Sequence, residues 1–244
     1  MNRWKLTFQY DGTEFHGWQK QPETRTVQGE IENALSVFCR EEIQIMGQGR
    51  TDAGVHALAQ IAHADLPEST DTEKLLHAMK GLLPEDVALT AAELTSPDFH
   101  ARFDATSRQY RYQWITSPQP LHRKTAWQYY SEPDPLILDQ TAKLVTGEHD
   151  FIGFCIPPDD DMLTTICEVT FCEWRCKESM WILEIRSNRF LRHMVRRLAG
   201  EMVHAATGRT GITEFEELLA GNVSHRKGFS APPHGLLLTS VHYK

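Results

Sequence analysis

Residues 26–48, TVQGEIENALSVFCREEIQIMGQ, change their hydrophobic period partway along, and that change decides the fold. Val27, Ile31, Ala34, Leu35 and Phe38 recur at helical spacing, so 26–39 reads as an amphipathic helix. From Glu42 the apolar residues alternate, which is the period of a strand. Outward from there, RWKLTFQY (3–10) precedes the helix as a strand and AQIAHADL (59–66) follows as another. TDTEKLLHAMKGLL (70–83) is a second helix opened by a polar cap, and VALTAAEL (87–94) is a closing strand. The order is βαββαβ, the ferredoxin-like arrangement.

The second half repeats that order without repeating the sequence. RQYRYQWIT (108–116) reads as a strand and DPLILDQTAKLVTG (134–147) as a helix. TTICEVTFCEW (164–174) and SMWILEIRS (179–187) read as strands. RFLRHMVRRLAGEMVHAATG (189–208) reads as one long helix, and Phe190, Leu191, Met194, Val195, Leu198, Met202 and Val203 form its apolar stripe. ITEFEELLAG (212–221) is a short helix, and HGLLLTSVHY (234–243) ends the chain as a strand. The expected class is therefore α/β of the α+β kind, with one half in residues 1–105 and the other in 106–244. No low-complexity linker separates them, so they are expected to pack as one body. Sheets of this kind are covered by helices on one face, and the open face suits a nucleic acid.

Composition narrows the function. With 41% hydrophobic and 24% charged residues, the chain is an ordinary globular protein. No apolar run approaches the roughly 20 residues of a membrane span, and the start MNRWKLTFQYDG has no signal-peptide core. A cytoplasmic location without a membrane partner is expected. Five cysteines without a paired CxxC argue against both a disulfide scaffold and a structural zinc site. The net charge of −8 is unlike a generic nucleic-acid binder, but the arginines are clustered. RSNRFLRHMVRR (186–197) has five arginines and no acid, while acids gather in PPDDDM (157–162) and TEFEEL (213–218). A bipolar surface of this kind can bind an anion through its positive side.

One stretch carries chemistry. In MGQGRTDAGVHAL (46–58), Arg50 and Asp52 sit two residues apart, with Gly47 and Gly49 before them and Gly54 after. Asp and Gly are turn residues, so a structural turn is one reading. The other is a loop loosened by glycines that aims a carboxylate into a cleft beside an arginine.

Six blocks together resemble one family. YDGTEFHGWQKQ (10–21), TVQGEIENAL (26–35), GRTDAGVHA (49–57), FHARFDATSRQYRY (99–112), FLRHMVRRLAG (190–200) and APPHGLLLTSVHY (231–243) are similar, in order, to the tRNA pseudouridine synthase A family. GRTDAGVHA is the most specific of them. The resemblance implies two ferredoxin-like halves sharing a central antiparallel sheet with helices on one face, acting as a homodimer. It implies isomerisation of uridine to pseudouridine in the anticodon stem-loop of tRNA, at tRNA positions 38–40, with no cofactor and no metal. By motif, Asp52 is implied as the catalytic aspartate and Arg196 as the arginine that pairs with it. Tyr110 is implied to stack on the target base and Leu236 to line the pocket. Arg50 would contact RNA or brace the flipped nucleotide, while Arg189, Arg192 and Arg197 are candidates for phosphate contacts. Lys80 and Leu82 stand where the family often has asparagines, and TTICEV lacks an arginine usual there.

The chemistry explains the residue types. Breaking an N-glycosidic bond calls for a carboxylate at the sugar, as in glycosidases. A single carboxylate suits an isomerisation, which needs no acid–base pair flanking a water. Burial disfavours the ionised carboxylate, and a neighbouring guanidinium offsets that. Three other readings stay open from residues alone. They are a glycosidase with an activated water, a non-catalytic RNA-binding module, and a metal hydrolase using Asp52, His56 and His63.

Overall fold

The computed structural model describes residues 1–157, 164–221 and 228–244. The acidic stretch PPDDDM lies outside the described residues from 158 onward. In chain order the elements are β1 (Asn2–Tyr10), α1 (Val27–Cys39), β2 (Met46–Gly47), β3 (His56–Leu66), α2 (Thr72–Leu82), β4 (Val87–Leu94), β5 (Ala105–Ile115) and β6 (Trp127–Gln128). There follow α3 (Pro135–Val145), β7 (Gly147–Asp150), β8 (Ile166–Lys177), β9 (Met180–Ser187), α4 (Met194–Ala206), α5 (Ile212–Leu219) and β10 (Leu236–Tyr243). The chain is thus mixed α/β with mostly antiparallel pairing, the class expected. It clusters into two compact units, Met1–Thr106 with Leu237–Lys244, and Ser107–Leu236.

In the first unit β1 lies between β4 and β3, antiparallel to both, with Leu6 opposite Ala92 on one side and Ala62 on the other. Trp4, Leu6, Phe8 and Tyr10 alternate inward and are buried. Each side chain of that size contributes roughly 1.5–3 kcal/mol on full burial. Helices α1 and α2 supply Val27, Ile31, Leu35, Leu75 and Met79 to the core. Asp71 accepts the Lys74 N–H, the polar cap expected of α2, and Thr26 caps α1 by accepting the Gly29 N–H. The strand expected over 42–48 shrinks to Met46–Gly47. The reason is that α1 side chains take the backbone donors a strand would need. Ile43 N–H donates to Ser36 Oγ (2.9 Å) and Ile45 N–H to the buried Glu32 carboxylate (3.2 Å). The remainder of that edge of β3 goes to β10, parallel to it, with Leu237 opposite His56 and Leu238 opposite Ala57.

In the second unit the order is β5-β9-β8-β7, all antiparallel, with β6 parallel to the end of β5. Trp114 is fully buried at its centre, with ring contacts to Trp127, Tyr129, Trp174 and Trp181. Helix α3 packs on β8 and α4. The long helix expected from residue 189 starts at Met194 instead. His193 adopts a left-handed conformation (φ 65°), and the carbonyls ahead of it are spent elsewhere. Ile156 N–H donates to Arg192 O (3.0 Å), and the Ser187 hydroxyl, with one proton to give, lies 2.7 Å from both Arg189 O and Glu168 O. Within α4 the apolar stripe from Met194 to Val203 is buried, as its period requires.

Among the described residues no helix is long and apolar enough to cross a membrane. The five cysteines are thiols, and burial pushes Cys167 up to about 11 and Cys172 up to about 12. That removes the thiolate that reactivity needs.

Candidate active-site residues

Asp52 stands on the loop between β2 and β3, and the backbone on both sides of it is held. Gln48 N–H donates to Ile61 O (2.8 Å). Its side-chain amide donates to buried Gln60 Oε1 (2.9 Å), and Gln60 Nε2 donates to Gly49 O (3.0 Å). Thr51 is buried, its Oγ1 2.8 Å from the Tyr10 hydroxyl and its carbonyl accepting from Trp18 N–H (3.1 Å). Val55 N–H closes a turn onto Asp52 O (3.2 Å), and Gly54 N–H reaches Phe15 O (3.3 Å). The Asp52 side chain is left half-buried, with Arg50 exposed beside it.

The loop is therefore fastened, where glycine content suggested looseness. Gly47 is there because a Cβ would come within 2.7 Å of the Trp18 ring. The more telling glycines belong to YDGTEFHGW, the segment that clasps the loop. A Cβ on Gly12 would fall 2.0 Å from Val55 O, and one on Gly17 (φ 92°) 2.9 Å from Thr51 O. Sequence reading missed these positions; the available signal was two glycines five residues apart in the first motif. Arg25 braces the clasp from behind. Its guanidinium lies 4.2 Å from the Phe15 ring centre and binds Asp86 through two nitrogens (2.7 and 2.9 Å) and Glu30 through Nε (2.8 Å).

His56 and His63 use Nδ1 to hold backbone. His56 Nδ1 accepts the Gly12 N–H (3.0 Å). An Asp11 oxygen also lies 3.0 Å from that nitrogen. His63 Nδ1 accepts the Ala101 N–H (3.1 Å), and burial pushes its pKa down to about 4. Among the described residues no group of three His, Cys, Asp or Glu is placed to hold a metal ion.

The second unit carries the other expected residues. Tyr110 lies on β5 opposite Ile185, half-buried, with its ring edge-on to Phe190 (5.2 Å, 90°). Tyr112, two residues on and so on the same face, is fully buried and donates to Pro232 O (3.0 Å). Burial raises its phenol well above the usual range. Arg196, in the first turn of α4, is tied twice to one residue. Its Nε donates to Ala231 O (2.8 Å), and Ala231 N–H donates to Arg196 O (3.0 Å). This fixes the start of APPHGLLL, in which Leu236 is buried. The expected phosphate-binding arginines divide. Arg192 is exposed, and Arg189 donates to Thr164 O (3.1 Å). Arg197 is not a rim cation: it is buried, donates to Cys155 O, and has its pKa lowered by burial. With helix α4 starting at 194, Arg197 falls on the inward side of the first turn.

The family model described as tRNA pseudouridine synthase matches residues 6–104 and 141–244. Several proteins named tRNA pseudouridine synthase A are similar along their whole length. The one from Bacteroides thetaiotaomicron is 35% identical over 246 residues, covering 100% of this chain and 91% of that one. The one from Chlorobium chlorochromatii is 39% identical over 240 residues, with 98% of each covered. The one from Solidesulfovibrio magneticus is 40% identical over 258 residues, covering 100% of this chain and 92% of that one.

Proposed function

The chain belongs to the tRNA pseudouridine synthase family, and from that premise we propose that it isomerises uridine to pseudouridine in the anticodon stem-loop of tRNA, with Asp52 as the catalytic carboxylate. The observation that supports this reading is Asp52 within GRTDAGVHA, on a backbone held from both sides while its side chain stays half-exposed. A reacting group needs that kind of preorganisation.

In the reaction the N1–C1′ bond breaks, the uracil turns, and a C5–C1′ bond forms. The C5 proton is lost and N1 gains one, so product and substrate are isomers. Asp52 acts at the sugar as the base departs, either as nucleophile at C1′ or as proton acceptor. Arg196 is its counter-charge. Tyr110 gives a face to the flipped-out uracil, and its hydroxyl takes the C5 proton. Extruding a base costs a few kcal/mol, and one stacking contact returns roughly 1–3 kcal/mol. Leu236 supplies apolar lining, and Arg50 braces the extruded nucleotide. We also propose that the enzyme works as a homodimer. No step requires a cofactor or a metal.

The test is incubation of the purified chain with unmodified tRNA, followed by nucleoside analysis. Pseudouridine at an anticodon stem-loop position is the expected product. Free uracil would identify a glycosidase, and binding without any altered nucleoside an RNA-binding module. Activity abolished by a chelator would identify a metal hydrolase.

A further inference from the structure

The loop between β4 and β5 is built more rigidly than a connection needs. Thr95 N–H donates to Arg3 O (3.0 Å), and Arg3 Nη1 donates to Phe99 O (3.1 Å). Ala101, fully buried, is held at both ends: its N–H donates to His63 Nδ1 (3.1 Å) and its carbonyl accepts from the Tyr243 hydroxyl (2.8 Å). His100 and Asp104 are joined twice, His100 N–H to Asp104 Oδ2 (2.8 Å) and Asp104 N–H to His100 O (3.1 Å). The His100 ring is oriented by the N–H groups of Arg102 (3.2 Å) and Phe103 (3.3 Å), both directed at Nδ1.

All this holds an aromatic ring out in water. Phe103 is 75% exposed. Its ring rests against His100, with centroids 4.3 Å apart and planes at 33°, and the Arg102 guanidinium lies 5.8 Å from its centre. A loop under no other demand would turn so large an apolar group inward. The neighbour Asp104 is charged and exposed, a residue type depleted from protein interfaces. An aromatic ring with a histidine behind it and a guanidinium beside it is, however, what unstacked RNA bases bind.

We propose that Phe103, backed by His100 and flanked by Arg102, is a stacking platform for an unpaired nucleobase of the RNA substrate, separate from the residues assigned to chemistry. This rests on the tRNA reading above. Base stacking differs from phosphate contact in having a π-face requirement and no counterion release.

The test uses Phe103→Ala, Phe103→Leu and Phe103→Trp in the full chain, with tRNA affinity measured across a salt series. Phe103→Ala should weaken binding about fivefold to a hundredfold, the loss of one stacked base, with the salt slope unchanged. Phe103→Leu, which keeps apolar bulk without a π-face, should fall with it. Phe103→Trp should stay within about twofold of the parent, as stacking tolerates any aromatic face. A tRNA carrying 5-iodouridine should crosslink under ultraviolet light to the peptide containing residue 103. Undiminished binding by Phe103→Ala overturns the platform, as does equal weakening in all three variants. So does unchanged RNA binding with a shifted sedimentation coefficient, which would make Phe103 a contact between copies of the chain. If the parent chain neither binds nor modifies tRNA, the functional reading fails first and takes the platform with it; that result appears before any substitution is made.

Discussion

Asp52 follows a buried threonine and lies two residues from an exposed arginine, so three neighbouring side chains have three different environments. Backbone atoms and the side chains of Gln48, Thr51 and Gln60 hold this stretch, and Asp52→Asn removes the charge while keeping the shape of the side chain. We expect it to lower turnover by roughly 10²–10⁴-fold or more, with tRNA affinity within a few-fold. Substantial activity in a contamination-free preparation would remove Asp52 from the chemistry. Tyr110 separates two roles in one side chain. Phe keeps the ring that meets Phe190 edge-on and loses the hydroxyl; Ala loses both. In single-turnover assays Tyr110→Phe should bind tRNA normally and form product slowly, while Tyr110→Ala should also bind more weakly. Equal, near-normal rates in both would exclude the tyrosine. Arg197 is the residue whose sequence reading failed. Its place in a five-arginine run suggested solvent, yet the helix phase turns it inward onto Cys155 O.

At the scale of elements, the working unit is the clasp of residues 10–18 on the Asp52 loop. Because Gly12 faces the Val55 backbone with no space for a methyl group, Gly12→Ala should destabilise by about 1–3 kcal/mol in urea unfolding. Activity should fall further than stability, since the displaced backbone carries Asp52. Gly49→Ala is the matched control. Nothing lies within 4 Å of its Cβ position, so stability should stay within about 0.5 kcal/mol, although Gly49 belongs to the more specific motif. A second element-level prediction concerns pH. Neutral His63 accepts the Ala101 N–H and so fastens the β4–β5 loop; the protonated ring cannot. Its pKa is about 4 in the fold against 6.5 unperturbed, mainly through burial. The unfolded chain therefore takes up the proton first on acidification. The contribution is complete above about pH 6.5 and is lost as pH falls toward 4, an effect of order 1–3 kcal/mol. Urea unfolding of the parent and of His63→Asn at pH 7 and pH 5 measures it. The variant, whose amide oxygen can accept without titrating, should lose most of that pH slope.

At the scale of the whole molecule, the prediction concerns assembly. Family resemblance leads us to expect a homodimer, so one subunit could hold a stem-loop while the other acts on it. Sedimentation at micromolar concentration should give a mass near twice that of the chain. A fully active monomer under those conditions would refute the assembly.

The amino-acid sequence by itself determined most of the element order, the buried stripes of α1 and α4, the polar cap of α2, and the Asp52 motif. These are local matters of side-chain period, capping and residue type, and VALTAAEL became β4 with its expected ends. What only the tertiary structure decided was where backbone donors and acceptors are spent. The strand before Met46 was lost to Ser36 and Glu32 of a helix, and the first turn expected of α4 was lost to Ser187 and Ile156. The need for Gly12 and Gly17 came from a backbone some forty residues away, and the exposure of Phe103 from a loop fastened by His63 and Tyr243. A hydrogen bond or a close approach between distant segments leaves no period in the sequence. It is set when the segments pack, and the same packing holds the Asp52 loop in place.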